Sequence, residues 1–361
     1  MVYYFLSFLI FVLGLSSFSE KDKKDTSIAY IIAVSLLVLI AGLKTQGSTD
    51  YLSYKNVYET FSTNVSFENS YEIGFQLFQN TFRILGLGFL FFYFVFACVS
   101  IGVKTYVIKK MVPYVFPALM IYLCGLYFER DNDGIRQGIS IAFCYIGMYY
   151  MLRDKKVKMI ISYLLAISFH YSSAVFAITF VLGKVKLKDR TIAIVVGIFF
   201  ILCAVHLSFS NTLMNYLPSE VALLKMEQYS NSEDYSVAMG ITVGLIFRMI
   251  ILLLFMFLHH KMQISEKLYL ILRNGFALSI ILSLAFNDFI ILAHRLPYAF
   301  REFQIFIVPY MFTAARRTDQ KQFFYFILWI YCCVILYRFL NGDGAAVYNS
   351  YSNYIFDLLS M

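Results

Sequence analysis

Apolar residues occur along this chain in long runs, and polar residues gather in the stretches between them. An α-helix needs about 20 consecutive apolar residues to cross the hydrocarbon core of a bilayer. The pattern therefore predicts transmembrane helices over ten segments, namely 2–19, 27–43, 88–108, 112–128, 135–152, 191–208, 239–258, 267–286, 297–314 and 322–340.

Composition indicates that lipid is the solvent of this protein. The 361 residues are 60% apolar and only 14% charged, with a mean hydropathy of +0.70, and no soluble core could bury so much apolar surface. Because a spanning backbone must satisfy its own hydrogen bonds, we expect an all-α integral membrane protein. A single polytopic domain is predicted over residues 1–361.

A further apolar run, 159–183, is flanked by basic residues at both ends. A single crossing would put one basic cluster outside, against the positive-inside rule. We therefore predict a re-entrant helical hairpin over 159–183, with His170 at its tip. The flanking clusters are Arg153, Lys155, Lys156 and Lys158 before the run, and Lys184, Lys186, Lys188 and Arg190 after it.

With this hairpin the charges separate by side. Most of the 30 lysines and arginines lie on one side, among them Lys104, and most of the 22 acidic residues lie on the other. The basic side is then cytoplasmic, and both termini and the loops 44–87 and 209–238 face outward. Topology explains the net charge of +8, so a nucleic-acid partner loses its support.

Three polar clusters are predicted at the outer face. The first is an amphipathic helix lying in the interface, whose polar face is either solvated or functional; it comprises Glu72, Gln76, Gln79, Asn80 and Arg83. The second is one face of the span 135–152, expected to line a cavity, with Asp133, Arg136, Gln137 and Ser140. The third opens the span 297–314 with His294, Arg295, Tyr298, Arg301 and Glu302.

The chemistry of these clusters suits a phosphorylated substrate. Arginines facing an outer cavity can bind phosphate or diphosphate through two parallel hydrogen bonds, although Arg301 and Glu302 could also only neutralise each other. Arg248, inside an apolar span, needs an anionic partner from protein or ligand. His170 suits proton removal from a hydroxyl, but a buried histidine is often only a hydrogen-bonded core residue.

Several familiar enzyme motifs do not occur in the sequence. It contains no P-loop, no dinucleotide-binding fingerprint and no metal-ligand helix motif. We therefore expect no cofactor and no metal. Because an outer site cannot reach cytoplasmic nucleotides, its substrate is expected to arrive already activated and attached to lipid.

Five short motifs occur in a consistent order along the chain. They are Gly47-Ser-Thr-Asp-Tyr51 with Tyr54 and Tyr58, Tyr71-Glu72-x-Gly74-Phe75, Ile135-Arg-Gln-Gly-Ile-Ser140, the run 164–174 that contains His170, and Arg295 with Arg301 before Pro309. In order and topology the chain resembles the EpsG/Wzy-type membrane polymerases of bacterial exopolysaccharide, capsule and O-antigen. Ser140 departs from the family pattern, which more often has alanine there.

The resemblance implies a polysaccharide polymerase of GT-C-like architecture, in the bacterial inner membrane, with its active site facing the periplasm. Its donor would be undecaprenyl-diphosphate-linked oligosaccharide, and its partners the bilayer and a chain-length regulator. The implied base is His170, with Glu72 or Asp50 as second choices. Diphosphate would be bound by Arg136, Arg295, Arg301 or Arg248, and sugar by Tyr51, Gln137 and Tyr298.

Two alternative functions stay open from sequence. An O-antigen ligase would use the same chemistry with a different acceptor. A flippase or transporter of lipid-linked oligosaccharide would favour paired repeat halves with midplane charges in both, and no such repeat is visible in the sequence.

Overall fold

The computed structural model describes residues 2–18, 23–60, 65, 71–207, 239–288, 293–294, 297–342, 348 and 350–359. The predicted loop 209–238 and Arg295 lie outside these residues. The described chain is helical apart from turns and two short strands. The prediction of an all-α protein is confirmed.

The elements follow one another along the chain as follows. The first part contains α1 (Val2–Leu15), α2 (Lys23–Gly42), β1 (Lys44–Gln46), α3 (Tyr51–Thr60), α4 (Ile73–Ile84), α5 (Phe89–Met111), α6 (Val115–Tyr122) continued by a π-helix (Leu123–Asp131), α7 (Ile135–Met151) and α8 (Lys156–Phe169). After α8 come a 3-10 helix (Tyr171–Ile178), α9 (Thr179–Leu182), α10 (Asp189–Ala204), α11 (Val243–Leu258) and α12 (Glu266–Ala285). The chain ends with α13 (Tyr298–Arg301), α14 (Gln304–Met311), α15 (Thr318–Asn341), β2 (Ser352–Asn353) and α16 (Tyr354–Leu359).

Each apolar run identified in the sequence contains helix. Four described helices are long and apolar enough to cross a membrane, namely Phe89–Met111, Val243–Lys261, Glu266–Ala285 and Thr318–Asn341, and shorter apolar helices accompany them. The number of about ten spans, the single polytopic domain and the GT-C-like architecture stay predictions.

The helices form two compact units, Met1–Ala177 with Phe312–Met361 and Ile178–Met311. In the first unit, both ends of the chain come together. β1 pairs antiparallel with β2, and the ring of Tyr3 lies 5.6 Å from that of Tyr351. Asn132 also donates a hydrogen bond to the Tyr3 hydroxyl at 3.3 Å. Tyr3, the segment after α2 and the strand near the C-terminus therefore lie together in this unit, and their outward orientation stays a prediction.

The chain reverses direction at His170. Helix α8 ends at Phe169, and His170 takes an extended conformation with φ −161° and ψ 118°. The following 3-10 helix returns along α8, because the Phe176 ring lies 6.2 Å from that of Tyr163. A continuous helix would separate these two residues by about 20 Å. The reversal agrees with a hairpin tip at His170, whereas re-entry into a membrane stays a prediction.

Lys104 does not mark the cytoplasmic surface, so its place in the charge count is wrong. Its ammonium forms an ion pair with Asp131 at 2.6 Å, and both side chains are fully buried. Asp131 also accepts hydrogen bonds from Ser100 at 2.6 Å and Tyr122 at 2.5 Å. Because Ser100 is the middle residue of α5, Asp131 lies beside the middle of that helix.

Helix α4 is amphipathic as predicted, but its polar face is not solvated. Gln76, Gln79 and Asn80 are buried, and the Gln79 amide donates to the Val57 carbonyl at 3.3 Å. Its most exposed apolar residues are Leu77, at 53%, and Ile84, at 78%. In a membrane protein the apolar surroundings reverse the usual arrangement, so polar side chains turn toward protein partners.

Candidate active site

Glu72 lies at the centre of a cluster built from three separated parts of the chain. Residue 72 is the N-terminal cap of α4. One carboxylate oxygen, Oε1, lies 2.8 Å from Nδ1 of His170 and 3.4 Å from the backbone N–H of Tyr171, which donates to it. The other oxygen, Oε2, accepts a hydrogen bond from a terminal nitrogen of Arg136 at 2.5 Å. Glu72 thus connects α7 to the end of α8.

These contacts keep Glu72 ionised. Burial alone raises the pKa of the carboxyl group, but the hydrogen bond with His170 and the charge of Arg136 outweigh it, so the pKa is lowered. An ionised carboxylate only accepts hydrogen bonds, so the Nδ1 of His170 must carry the proton that the pair shares. The lone pair of a neutral His170 is then on Nε2, away from Glu72.

Aromatic rings fix the guanidinium of Arg136. The guanidinium carbon lies 4.6 Å from the centre of the Tyr71 ring and 5.9 Å from that of Phe75. Such stacking suits the planar arginine group and orients it toward Glu72. The Arg136 side chain keeps 23% of its surface exposed, against 5% for Glu72, so part of it remains available to a ligand.

Gly74 allows α4 to approach α8. A β-carbon at this position would lie 2.5 Å from Oγ and 2.7 Å from the carbonyl oxygen of Ser168. Phe75, the next residue, is 1% exposed and belongs to an aromatic core that includes Tyr54, Phe92 and Phe169. The Tyr-Glu-x-Gly-Phe motif therefore brings Glu72 close to His170.

Ser140 connects α7 to the chain reversal. Its hydroxyl donates to the Ala166 carbonyl at 2.6 Å and is hydrogen-bonded to the Ser173 hydroxyl. Gly138 packs against the π-helix, where a β-carbon would lie 2.9 Å from the Arg130 carbonyl. These contacts, which directly follow Arg136 along α7, fix the helix against its neighbours. The departure from alanine at position 140 thus adds a hydrogen bond within the site.

Asp133 organises the Gly-Ser-Thr-Asp loop beside α7. Its carboxylate accepts from the hydroxyls of Ser48 and Thr49, both at 2.7 Å, and from the Asp50 backbone N–H at 3.0 Å. The Tyr348 hydroxyl donates to it at 3.0 Å. Burial alone raises the pKa of Asp133, but these hydrogen bonds and the nearby Lys44 lower it. The role of Asp133 as the acceptor for this loop was not expected from sequence. The three consecutive polar residues Ser48, Thr49 and Asp50 were the signal that the loop needs such a partner.

Lys44 is a buried cation next to this loop. Its side chain is inaccessible to solvent, and Nζ lies 3.4 Å from the Asn132 side-chain oxygen and 5.3 Å from the centre of the Tyr93 ring. Burial lowers the pKa of Lys44 to about 7, against the opposing effect of Asp133 and Asp50. Sequence did not single out this residue, because its position at the end of an apolar run resembles an ordinary flanking lysine.

The other predicted residues of the first unit take less direct positions. Asp50 is half-buried, and burial together with the Asp133 charge raises its pKa. Tyr51 is 7% exposed, and its ring lies 5.4 Å from Phe89 in the aromatic core, so it supports the fold. Gln137 is half-buried. The predicted roles of Asp50, Tyr51 and Gln137 stay predictions.

The second unit contains Arg301, Arg248 and Tyr298. Arg301 donates to Glu302 at 3.0 Å and lies 4.5 Å from the centre of the Tyr298 ring, and both Tyr298 and Glu302 are buried. Arg248 donates to the Gly244 carbonyl of its own helix at 3.4 Å. Within this unit Arg301 thus has the acidic neighbour that the sequence suggested, and diphosphate binding by Arg301 and Arg248 stays a prediction.

The EpsG family model matches residues 27–356. The chain belongs to the EpsG family. The match contains every residue of the cluster around Glu72, and membership supports a general role as a polysaccharide polymerase. No curated protein and no solved structure matches the chain. Within the described part of the chain, no group of three His, Cys, Asp or Glu side chains comes together as a metal site.

Three of the five motifs that carried the resemblance to EpsG proteins build the cluster around Glu72. Tyr71 and Glu72, Arg136, and His170 belong to three of them, and 64 and 98 residues separate Glu72 from its two partners. The Gly-Ser-Thr-Asp loop joins the start of α7 through Asp133. In this EpsG protein, four motifs that are distant in sequence thus form one continuous site in the first unit.

Proposed function

We propose that this EpsG-family protein elongates a surface polysaccharide on the periplasmic face of the inner membrane. The growing glycan is transferred from its undecaprenyl diphosphate to a hydroxyl of the next lipid-linked repeat unit. The observation that carries the proposal is the contact of Glu72 with both His170 and Arg136. It combines a base for a hydroxyl group with a cation for a phosphate in one place.

His170 is the proposed catalytic base. The acceptor oxygen attacks the anomeric carbon of the donor, the bond from that carbon to the diphosphate oxygen breaks, and the hydroxyl proton moves to Nε2 of His170. Glu72 is a positioning residue, because it holds the other nitrogen protonated and stabilises the imidazolium that forms. Both carboxylate oxygens of Glu72 are engaged in hydrogen bonds with Arg136 and His170. Asp50 therefore remains as the second candidate for the base.

Arginine is proposed to stabilise the leaving diphosphate. Negative charge grows on the diphosphate oxygen as the glycosidic bond breaks, and a preorganised guanidinium lowers the energy of that state. Arg136 is the first choice because it lies beside the base, and Arg295, Arg301 and Arg248 are further candidates. In this proposal arginines supply the positive charge, and the transfer proceeds without a metal ion.

Deletion of the gene tests the proposed function. Surface glycan from the deletion strain, separated on a gel, should show acceptors that carry a single repeat unit, and the plasmid-borne gene should restore the ladder of longer chains. Loss of all surface glycan would instead indicate a ligase or a flippase. The variant His170→Gln on the plasmid should reproduce the single-unit pattern at unchanged protein level.

A further inference from the structure

A cavity of about 620 Å³ opens between α5 and α7 in the first unit, at the end of these helices that carries basic residues. Its size is typical of ligand pockets, which measure about 300–1,000 Å³. One wall is apolar or small, formed by Cys98, Gly102, Val103 and Ile146. At Gly102 a β-carbon would meet no atom within 4 Å, so this glycine opens a notch along α5.

The mouth of the cavity carries positive charge. Arg153, Lys155 and Lys158 line it together with Tyr149 and Tyr150, and all three basic side chains are exposed. The Arg153 guanidinium lies 3.5 Å from the centre of the Tyr149 ring, and the Lys158 ammonium lies 5.6 Å from that of Tyr150. The rings keep these cations at the mouth, where they suit an anion.

We propose that this cavity binds an anionic phospholipid of the inner leaflet. The phosphate contacts the basic mouth, and an acyl chain lies along the apolar wall. Tyr106 and Cys98, which both line the cavity, lie eight residues apart on α5, so this wall is about 12 Å long. A soluble anion would use the charges but not this wall, so the combination favours a lipid over free phosphate.

The position of the cavity agrees with this ligand. The basic residues belong to the cluster that the positive-inside rule assigns to the cytoplasmic interface, where anionic lipid headgroups lie. Arg136 and Arg153 are at opposite ends of α7, about 25 Å apart along the helix. The lipid site is therefore distinct from the cluster around Glu72. The proposal of a lipid site does not depend on the protein being a polymerase.

Lipid binding can be measured by native mass spectrometry of the full-length protein in detergent. Phosphatidylglycerol and phosphatidylcholine are titrated separately, with excess inorganic phosphate as a competitor. The variant Gly102→Leu fills the notch and keeps every charge, and Gly197→Leu is its control, because Gly197 also has open space around its β-position. A triple variant changes Arg153, Lys155 and Lys158 to Gln, and its control changes Lys184, Lys186 and Lys188 to Gln.

The proposal requires phosphatidylglycerol to bind more tightly than phosphatidylcholine. Gly102→Leu should weaken binding at least tenfold, and the triple variant about 100-fold, since each basic residue near an anionic lipid contributes about fivefold. Both controls should bind as the wild type does. Equal binding of the two lipids, equal effects of Gly102→Leu and Gly197→Leu, or complete displacement by inorganic phosphate would each overturn it.

Discussion

Replacing Glu72 by Gln tests how the carboxylate acts in the proposed reaction. The amide keeps the size of the side chain and one acceptor oxygen, but it removes the negative charge that His170 and Arg136 share. His170 can then still be oriented by a hydrogen bond at Nδ1, whereas the imidazolium formed during transfer loses its counter-ion. We therefore expect a slower reaction with little change in the binding of lipid-linked donor.

The size of the effect follows from the geometry of the contact. A hydrogen bond to a charged group contributes about 1.5–3 kcal/mol, and the 2.8 Å contact between Glu72 and His170 is of that kind. At about 1.4 kcal/mol per factor of ten, the rate should fall about 10- to 150-fold. His170→Gln removes the base itself and should cost about 10²- to 10⁴-fold.

The double variant Glu72→Gln/His170→Gln distinguishes a positioning role from an independent one. Groups that act as a unit have strongly non-additive effects, so the double variant should be about as slow as His170→Gln alone. The assay is single-turnover transfer between lipid-linked repeat units by purified protein, with donor binding measured separately. Glu59→Gln, an exposed acid on α3, is the control. Multiplied effects in the double variant would refute the positioning role of Glu72.

Three further substitutions test the packing, the buried charge and the cation of the site. Gly74→Ala should separate α4 from α8, abolish transfer and lower the free energy of unfolding by about 1–3 kcal/mol. Gly88 has open space around its β-position, so the control Gly88→Ala should be tolerated. Thermal unfolding and transfer assays measure both variants. Burial lowers the pKa of Lys44 from 10.5 to about 7. At a pH between these two pKa values the unfolded chain therefore binds more protons than the folded protein does. The free energy of unfolding should then rise by about 1.4 kcal/mol per pH unit. Lys44→Met should remove that rise in unfolding experiments from pH 7 to pH 9, while exposed Lys55→Met should keep it. Arg136→Lys should lose at least about tenfold in transfer, because an ammonium cannot both stack on a ring and bridge a carboxylate; near-normal polymer would contradict this.

Much of the helical structure was predictable because apolar runs of spanning length leave the backbone few alternatives. Sequence also singled out Glu72, Arg136 and His170, since a charged side chain beside an apolar run must serve some purpose, but it did not single out Lys44. The catalytic roles of these residues stay predictions. Their contacts were not predictable. Sequence suggested Glu72 as a rival base to His170 and assigned Arg136 only to diphosphate, whereas the structure joins all three. No periodicity relates positions that are 64 and 98 residues apart.

One expectation was wrong, and one of two open alternatives was excluded, for a common reason. Charges near the ends of apolar runs were counted as if they faced water, yet Lys104 is buried against Asp131. A solvated polar face was one of the two alternatives for α4, yet Gln79 and Asn80 are buried. In both cases a protein partner replaces water, and only the three-dimensional arrangement identifies that partner.

In the proposed reaction this protein transfers a glycan between lipid diphosphates and uses His170 as the base. The most direct test supplies purified wild-type protein with undecaprenyl-diphosphate-linked repeat units and measures both the polymer ladder and the released undecaprenyl diphosphate. We expect one released lipid diphosphate for each new linkage, and neither product with His170→Gln, although that variant still binds the donor. Normal polymer from His170→Gln, or polymer from the wild type without release of lipid diphosphate, would contradict it.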